Sequence, residues 1–293
     1  MTEPKQIVAV SYGGGIQSTA IAHLVINKHP ELMAVIDRLP DCFIFADTGD
    51  EPESVYETVD RTSKALEAAN IPLYVTRKKS PHGKSLSEHI KGQVRIKSKS
   101  QLGLPPLFMD GADGKEGMFH RECTSDWKID VIHKKEKELA GLNLRKPAHR
   151  NGGVYVTQWM GISLDEIQRM RTSKFSWLKN FYPLIEMGWR RSDCIKYLET
   201  IGVTASRSAC VYCPFHTNQE WLRLKSEEPE GWKHAVEFER WMHKQHELGN
   251  SIGGMRERAY LHRSRVPLDQ CDFTKQKDLF DPMDNECAGV CGV

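Results

Sequence analysis

Three groups of residues in the 293-residue chain have types and spacings that could do chemistry. The first is Ser11-Tyr12-Gly13-Gly14-Gly15-Ile16-Gln17-Ser18. It lies between a short β-branched run, Ile7–Val10, and a segment of helical apolar spacing that starts at Ser18. Glycines let backbone N–H groups close on an oxyanion, and a helix N-terminus adds unpaired donors and a positive dipole end. Ser11 and Ser18 add hydroxyls. The lack of Gly-Lys-Ser/Thr excludes a Walker A loop, while Gly13-x-Gly15-x-x-Ser18 comes close to the dinucleotide GxGxxG pattern. A tight turn without a ligand is the plain alternative, although three adjacent glycines are entropically costly for that purpose. The second group, Asp47-Thr48-Gly49-Asp50-Glu51, ends another buried run, Cys42–Ala46. Asp47 there suits either a turn or a contact to nucleotide or metal. The third group is the cysteines. Cys210-Val211-Tyr212-Cys213 is a CxxC that could grip a metal, edge a cluster or form a redox pair.

The elements that must position these groups follow from periodicity. Ile7–Val10, Cys42–Ala46, Leu73–Thr76 and Val154–Met160 read as strands, the first two buried on both faces. Helices are expected over 53–70, 124–140 (with Thr124 as its cap), 164–170, 192–201, 219–225 and 232–248. Alternating strands and helices imply right-handed βαβ crossovers and a twisted parallel sheet flanked by helices, with a smaller helical C-terminal region. From Arg77 to Lys99 there are eight Lys or Arg against one acid, Glu88. This stretch reads as a solvated loop, or as a lid or arm that meets phosphates of a nucleotide or a polynucleotide. Residues 103–117 look irregular, and the tail from Arg263 looks extended. Trp221, Trp232 and Trp241 read as core, His243 and His246 as surface, and Cys42, Cys194 and Cys271 as structural thiols.

With these residues in view, the chain resembles the phosphoadenosine-phosphosulfate (PAPS) reductase-like family of the adenine-nucleotide α-hydrolase superfamily. The glycine loop is similar to that superfamily's SGGxDS pyrophosphate loop, with Gln17 as in the SFGxQ loops of sulfonucleotide reductases. Asp47-Thr48-Gly49 through Pro52-Glu53 resembles their DTGxxxPET stretch, and Gly161-Ile162 with Asp165, Glu166 and Arg169 their GI-x-x-D/E-x-x-x-R segment. Tyr182-Pro183-Leu184 resembles a YPL segment. The resemblance implies that Ser11, Gly13, Gly14, Gly15, Gln17, Ser18, Thr48, Gly49, Gly161 and Arg169 hold ATP or an adenylyl sulfate, with Asp47 orienting nucleotide or metal. For Arg169 an exposed helical arginine is the plain alternative. Arg121–Ile129 resembles the CCxxxK stretch that pairs with a later CxxC on a [4Fe–4S] cluster. Glu122 replaces one cysteine, so Cys123, Cys210 and Cys213 remain as ligands, as in cluster-dependent tRNA-thiolating members. Zinc, completed by His120 or His216, is the alternative. The tail, with Cys287 and Cys291, loosely resembles the reductases' ECGxH terminus but lacks the histidine.

Composition bounds the rest. The net charge of +2 is nearly balanced, and 39% hydrophobic residues suffice for a sizeable core. No apolar run has the length of a membrane span, and the N-terminus does not read as a signal peptide. Eight cysteines in such a chain are expected to be reduced thiols, ligands or catalysts in the cytoplasm. The expected organisation is a nucleotide-binding domain over 1–205 and a cysteine-bearing helical region with a tail over 206–293. Three functions are carried forward. One is ATP- and Mg²⁺-dependent adenylation of a base in tRNA or DNA, followed by sulfur transfer from a persulfide donor or the cysteine site. The second is reduction of an adenylyl sulfate to sulfite through Cys287 or Cys291 with a thioredoxin-type donor. The third is a nucleotide-binding module without catalysis.

Overall fold

Every residue of β1 (Ile7–Tyr12) and β2 (Cys42–Ala46) is buried, which only a strand covered on both faces requires. The computed structural model describes residues 5–95, 103–110, 116–142, 153–255 and 257–274. With β3 (Leu73–Thr76), β6 (Val156–Met160) and β7 (Leu178–Phe181), these strands form a five-stranded sheet of order β3-β2-β1-β6-β7. All four pairings are parallel. The period of two along each strand then sorts the side chains. Val8, Val10, Tyr12, Phe43 and Phe45 meet α1 (Ile16–Ile26), α3 (Glu53–Ala68) and α7 (Arg191–Thr200) in one core. Ala9, Cys42, Ile44 and Ala46 face Val131 and Ile132 of α5 (Asp130–Leu139) on the other side. The short helices α2 (Pro30–Val35) and α6 (Pro183–Glu186) pack against one another beside the first core. The expected α/β architecture is therefore present.

A second core lies beyond the strands' carboxyl ends. α8 (Asn218–Glu227) and α9 (Pro229–Glu247) supply Trp221, Leu224, Phe238 and Met242 to it. α4 (Leu86–Arg95) supplies Leu86, Ile90 and Val94. A small antiparallel sheet of β4 (Phe108–Asp110), β5 (Glu116–Met118) and β8 (Ala259–Tyr260) borders it. Here the structure corrects several expectations. The basic stretch is not simply a solvated loop from Leu86 onward. Its apolar residues at i, i+4 and i+8 fold α4 onto the second core, while residues 96–102 lie outside the described chain. Residues 103–118 contribute strands, and the start of the tail is packed, with Leu268 and Phe273 buried. Thr124 is inside a helical turn and makes no side-chain cap. His243 is buried, bonded through Nε2 to the carbonyl of Ala259 at 2.9 Å, while His246 is exposed as expected. Trp221 is fully buried, and Trp232 and Trp241 pack against the same core. Cys42 and Cys194 are buried and Cys271 is partly so. Among the described residues no helix is long and apolar enough to cross a membrane.

Candidate active site

The strand order reverses between β1 and β6, and ligands of such sheets bind at the carboxyl ends near the switch point; here a small crevice opens at the ends of β1 and β2. The glycine loop leaves β1 at this place. Gly14 takes φ +74°, and a Cβ there would sit 3.0 Å from Val55 Cγ1 and 3.1 Å from Val59 Cγ2. Only glycine meets both conditions without strain. Ser18 Oγ ties the loop together by accepting from Gly13 N–H at 3.3 Å and donating to Gly15 O at 3.2 Å. Gly161 lies against the same turn, where a Cβ would stand 3.1 Å from Ser18 N. Gln17 is fully buried. Its Nε2 donates to Glu166 Oε2 at 3.0 Å and Ser163 Oγ at 3.4 Å, and Glu166 in turn pairs with Arg169. Gln17 and Arg169 thus join the first loop to the turn after β6. Arg169 is paired, and it is not the freely exposed helical arginine of the plain reading.

The second loop follows β2. Asp47 Oδ1 accepts from Gly49 N–H at 2.7 Å and Tyr56 Oη–H at 2.8 Å, and Oδ2 accepts from Arg77 Nε–H at 2.6 Å. Gly49 takes φ +78° with Ser85 Cβ only 2.7 Å from where its own Cβ would be. Asp50 accepts from Ser87 N–H at 2.7 Å, Ser87 Oγ–H at 2.9 Å and Tyr212 Oη–H at 2.6 Å. Burial and the Asp50 carboxylate push the Tyr212 phenol far up, so it stays a donor. These contacts fix the loop's shape and occupy Asp47, the acid that sequence reasoning offered to nucleotide or metal.

Two residues that sequence reasoning missed connect the crevice to the cysteines. Lys128 stands on a π-helical turn, Ser125–Ile129, which leads into α5. It lines the crevice with Ser11, Tyr12, Gly13, Phe45, Ala46 and Ile132. Its Nζ lies 3.0 Å from Glu51 Oε1, and both side chains are nearly or wholly buried. The same Oε1 accepts from Thr48 Oγ1–H at 3.1 Å and from the Cys210 thiol at 3.6 Å, while Thr48 Oγ1 is 3.3 Å from Cys210 Sγ. A path of four polar groups therefore runs from the crevice to the CxxC turn. Burial, then the Glu51 charge, pushes the Cys210 thiol well above the usual range, so it rests protonated here. The only sequence signal for Lys128 was its place in the CCxxxK-like stretch. Glu51 gave none.

The CxxC is a tight turn, with Cys213 N–H donating to Cys210 O at 2.9 Å. His216 Nε2 also binds that carbonyl, at 3.0 Å, and burial followed by Arg207 pushes its pKa down to about 3. A neutral ring donating from Nε2 leaves Nδ1 as an acceptor, and Nδ1 is buried without a hydrogen-bond partner. That is one property of a zinc ligand. Convergence is missing, however. Cys123 and Cys210 border the second core and Cys213 is buried, yet among the described residues no three His, Cys, Asp or Glu side chains are grouped to hold a metal ion. No ligand set is therefore assembled among the described side chains, and no chemical step is assigned to a cluster, a zinc ion or Mg²⁺. Cys287 and Cys291 lie outside the described residues.

Comparison with known families agrees with this geometry. Residues 7–98 match the profile of the phosphoadenosine phosphosulfate reductase domain. This segment, about a third of the chain, is similar to that domain. It holds the glycine loop, the Asp47–Glu51 loop and α4, and with them the crevice-lining residues Ser11–Gly13, Phe45 and Ala46. The family resemblance read from the motifs is borne out there, as is the α/β fold. Members of this family are generally enzymes that bind adenine-nucleotide substrates. No curated protein sequence matches the chain closely enough to count as a relative.

Proposed function

We propose that the chain is an enzyme that binds an adenine nucleotide with its phosphates on Gly13–Ser18 and does sulfur chemistry at the adjoining cysteines. Its reaction is ATP-dependent adenylation of an oxygen on a nucleic-acid base, from which sulfur then displaces AMP. The observation that carries this reading is Lys128, which lines the crevice and ion-pairs with the Glu51 that holds Cys210. A nucleotide phosphate in the crevice would compete with Glu51 for the Lys128 ammonium, so nucleotide and thiol chemistry share one cation. The loop N–H groups and Ser18 hold pyrophosphate. Asp47 shapes the second loop and pairs with Arg77, which is exposed as Lys79 and Lys84 are; these cations would meet the polynucleotide. A division at residue 205 and a cytoplasmic location belong to the same proposal. So does metal or cluster binding by Cys123, Cys210 and Cys213, which rests on sequence spacing. The test is release of pyrophosphate and AMP from ATP with tRNA or DNA as acceptor and a persulfide donor. No release with any acceptor overturns the reading.

The match of residues 7–98 favours a second reading, reduction of an adenylyl sulfate. Cys287 or Cys291 would attack the sulfate sulfur, AMP would leave, and a dithiol of thioredoxin type would release sulfite by forming its own disulfide. Sulfite production that survives Cys287→Ser together with Cys291→Ser rules this mechanism out.

A further inference from the structure

Ser208, which has no place in the motifs above, is bonded to the glycine loop across 195 positions of sequence. Its buried Oγ–H donates to the carbonyl of Gly13. In a trans peptide the C=O and the N–H of the next residue point opposite ways. A hydroxyl that holds the Gly13 carbonyl on one side therefore turns the Gly14 N–H to the other, the direction in which it could meet an anion. Gly13 also leaves a gap. A Cβ there would lie 3.7 Å from Ser208 Oγ and 3.9 Å from Ser18 Oγ, so two hydroxyls border the space that the missing side chain opens. The neighbouring residues act on the same frame. Arg207 is buried and donates from Nη2 to Phe215 O at 3.0 Å, which ties the segment to the chain just after the CxxC turn. Val211 N–H donates to Asp50 O at 2.9 Å, and Cys210 meets Thr48 and Glu51. One short segment thus grips both nucleotide loops and carries the cysteine.

We infer that Ser208 is the positioning residue of the phosphate site, setting the Gly13–Gly14 peptide so that the loop accepts the phosphate chain of a nucleoside di- or triphosphate. The inference rests on the nucleotide reading above. It predicts a loss confined to the phosphates. Calorimetric titration of the full chain with adenosine, ADP and inorganic pyrophosphate separates this from a general effect on folding. Ser208→Ala is expected to weaken ADP and pyrophosphate about tenfold, the worth of roughly one charge-assisted hydrogen bond. Adenosine binding stays within about twofold, and Ser208→Thr, which keeps the hydroxyl, restores ADP. If Ser208→Ala does not fold, Gly13→Ala puts a methyl into the same gap at ordinary contact distance and is expected to make the same selective cut. Equal ADP affinity in wild type and variant overturns the inference alone, as does an equal loss for adenosine and ADP. A wild-type chain that binds none of the three ligands overturns the nucleotide reading and the inference with it.

Discussion

Replacing Lys128 by methionine probes the link between crevice and thiol, and its cost follows from the structure. The Lys128–Glu51 pair is 3.0 Å long, with side chains 10% and 0% exposed. Removing one member of a buried ion pair leaves an uncompensated charge and costs about 3–5 kcal/mol. Glu51 keeps two weaker donors in Lys128→Met, Thr48 and the Cys210 thiol, so the lower half of that range is expected. For a chain of this size that corresponds to a fall in melting temperature of roughly 5–7 °C. Glu51→Gln alone costs less, because the Lys128 stem lines the crevice and its ammonium can turn toward water. The two changes together recover most of the loss, giving a coupling of at least about 1.5 kcal/mol in a double-mutant cycle. Urea denaturation of the four proteins measures this. Nucleotide affinity is expected to stay low in the stable double variant, because it lacks the cation. Additive effects with no coupling, or full nucleotide affinity in the double variant, would refute the reasoning.

Other expectations follow from the same geometry. Gly14→Ala places a Cβ 3.0 Å from Val55 at φ +74° and should destabilise the chain by more than about 1 kcal/mol, seen as a lower thermal midpoint; an unchanged midpoint contradicts the loop conformation. Burial pushes His133 and His262 down to about 4, with Lys137 and Arg263 respectively adding to the shift. Between pH 6.5 and 4 the unfolded chain binds protons at both sites that the folded chain refuses, so stability rises with pH across this window and falls on acidification. Near pH 5 the two together approach a slope of roughly 2.7 kcal/mol per pH unit, and His133→Gln should remove about half of it in denaturant titrations at stepped pH. A slope untouched by that change refutes the assignment.

What the sequence disclosed depended on how local the signal was. β2 and β3 have the expected bounds, because a run of apolar residues ended by a turn is readable within a few residues. The glycine loop was readable for the same reason, since strand, glycines and helix are contiguous. α4 was available but missed. Leu86, Ile90 and Val94 mark one helical face, and the lysines and arginines around them drew the reading to charge instead. β7 is an edge strand containing Lys179 and Asn180, and β4, β5 and β8 span only two or three residues each, too short to show a period. The pairings that define the site were not legible. Lys128 with Glu51, Tyr212 with Asp50 and Ser208 with Gly13 each join distant segments, and single-sequence periodicity carries nothing about such partners. His243 shows this in small. Its neighbours on α9 are polar, so it looked exposed, and only the later segment at Ala259 covers it.

The claim that everything else depends on is that an adenine nucleotide lies in the crevice at the ends of β1 and β2, beside Lys128. Photolabelling the full chain with 8-azido-ATP and mapping the adducts by peptide mass spectrometry tests it directly. The account predicts label on peptides containing Phe45, Ala46 or Ile132, suppressed by an excess of ATP and reduced in the stable Lys128→Met/Glu51→Gln variant. Label elsewhere that ATP does not suppress, or no label at saturating probe, would contradict it.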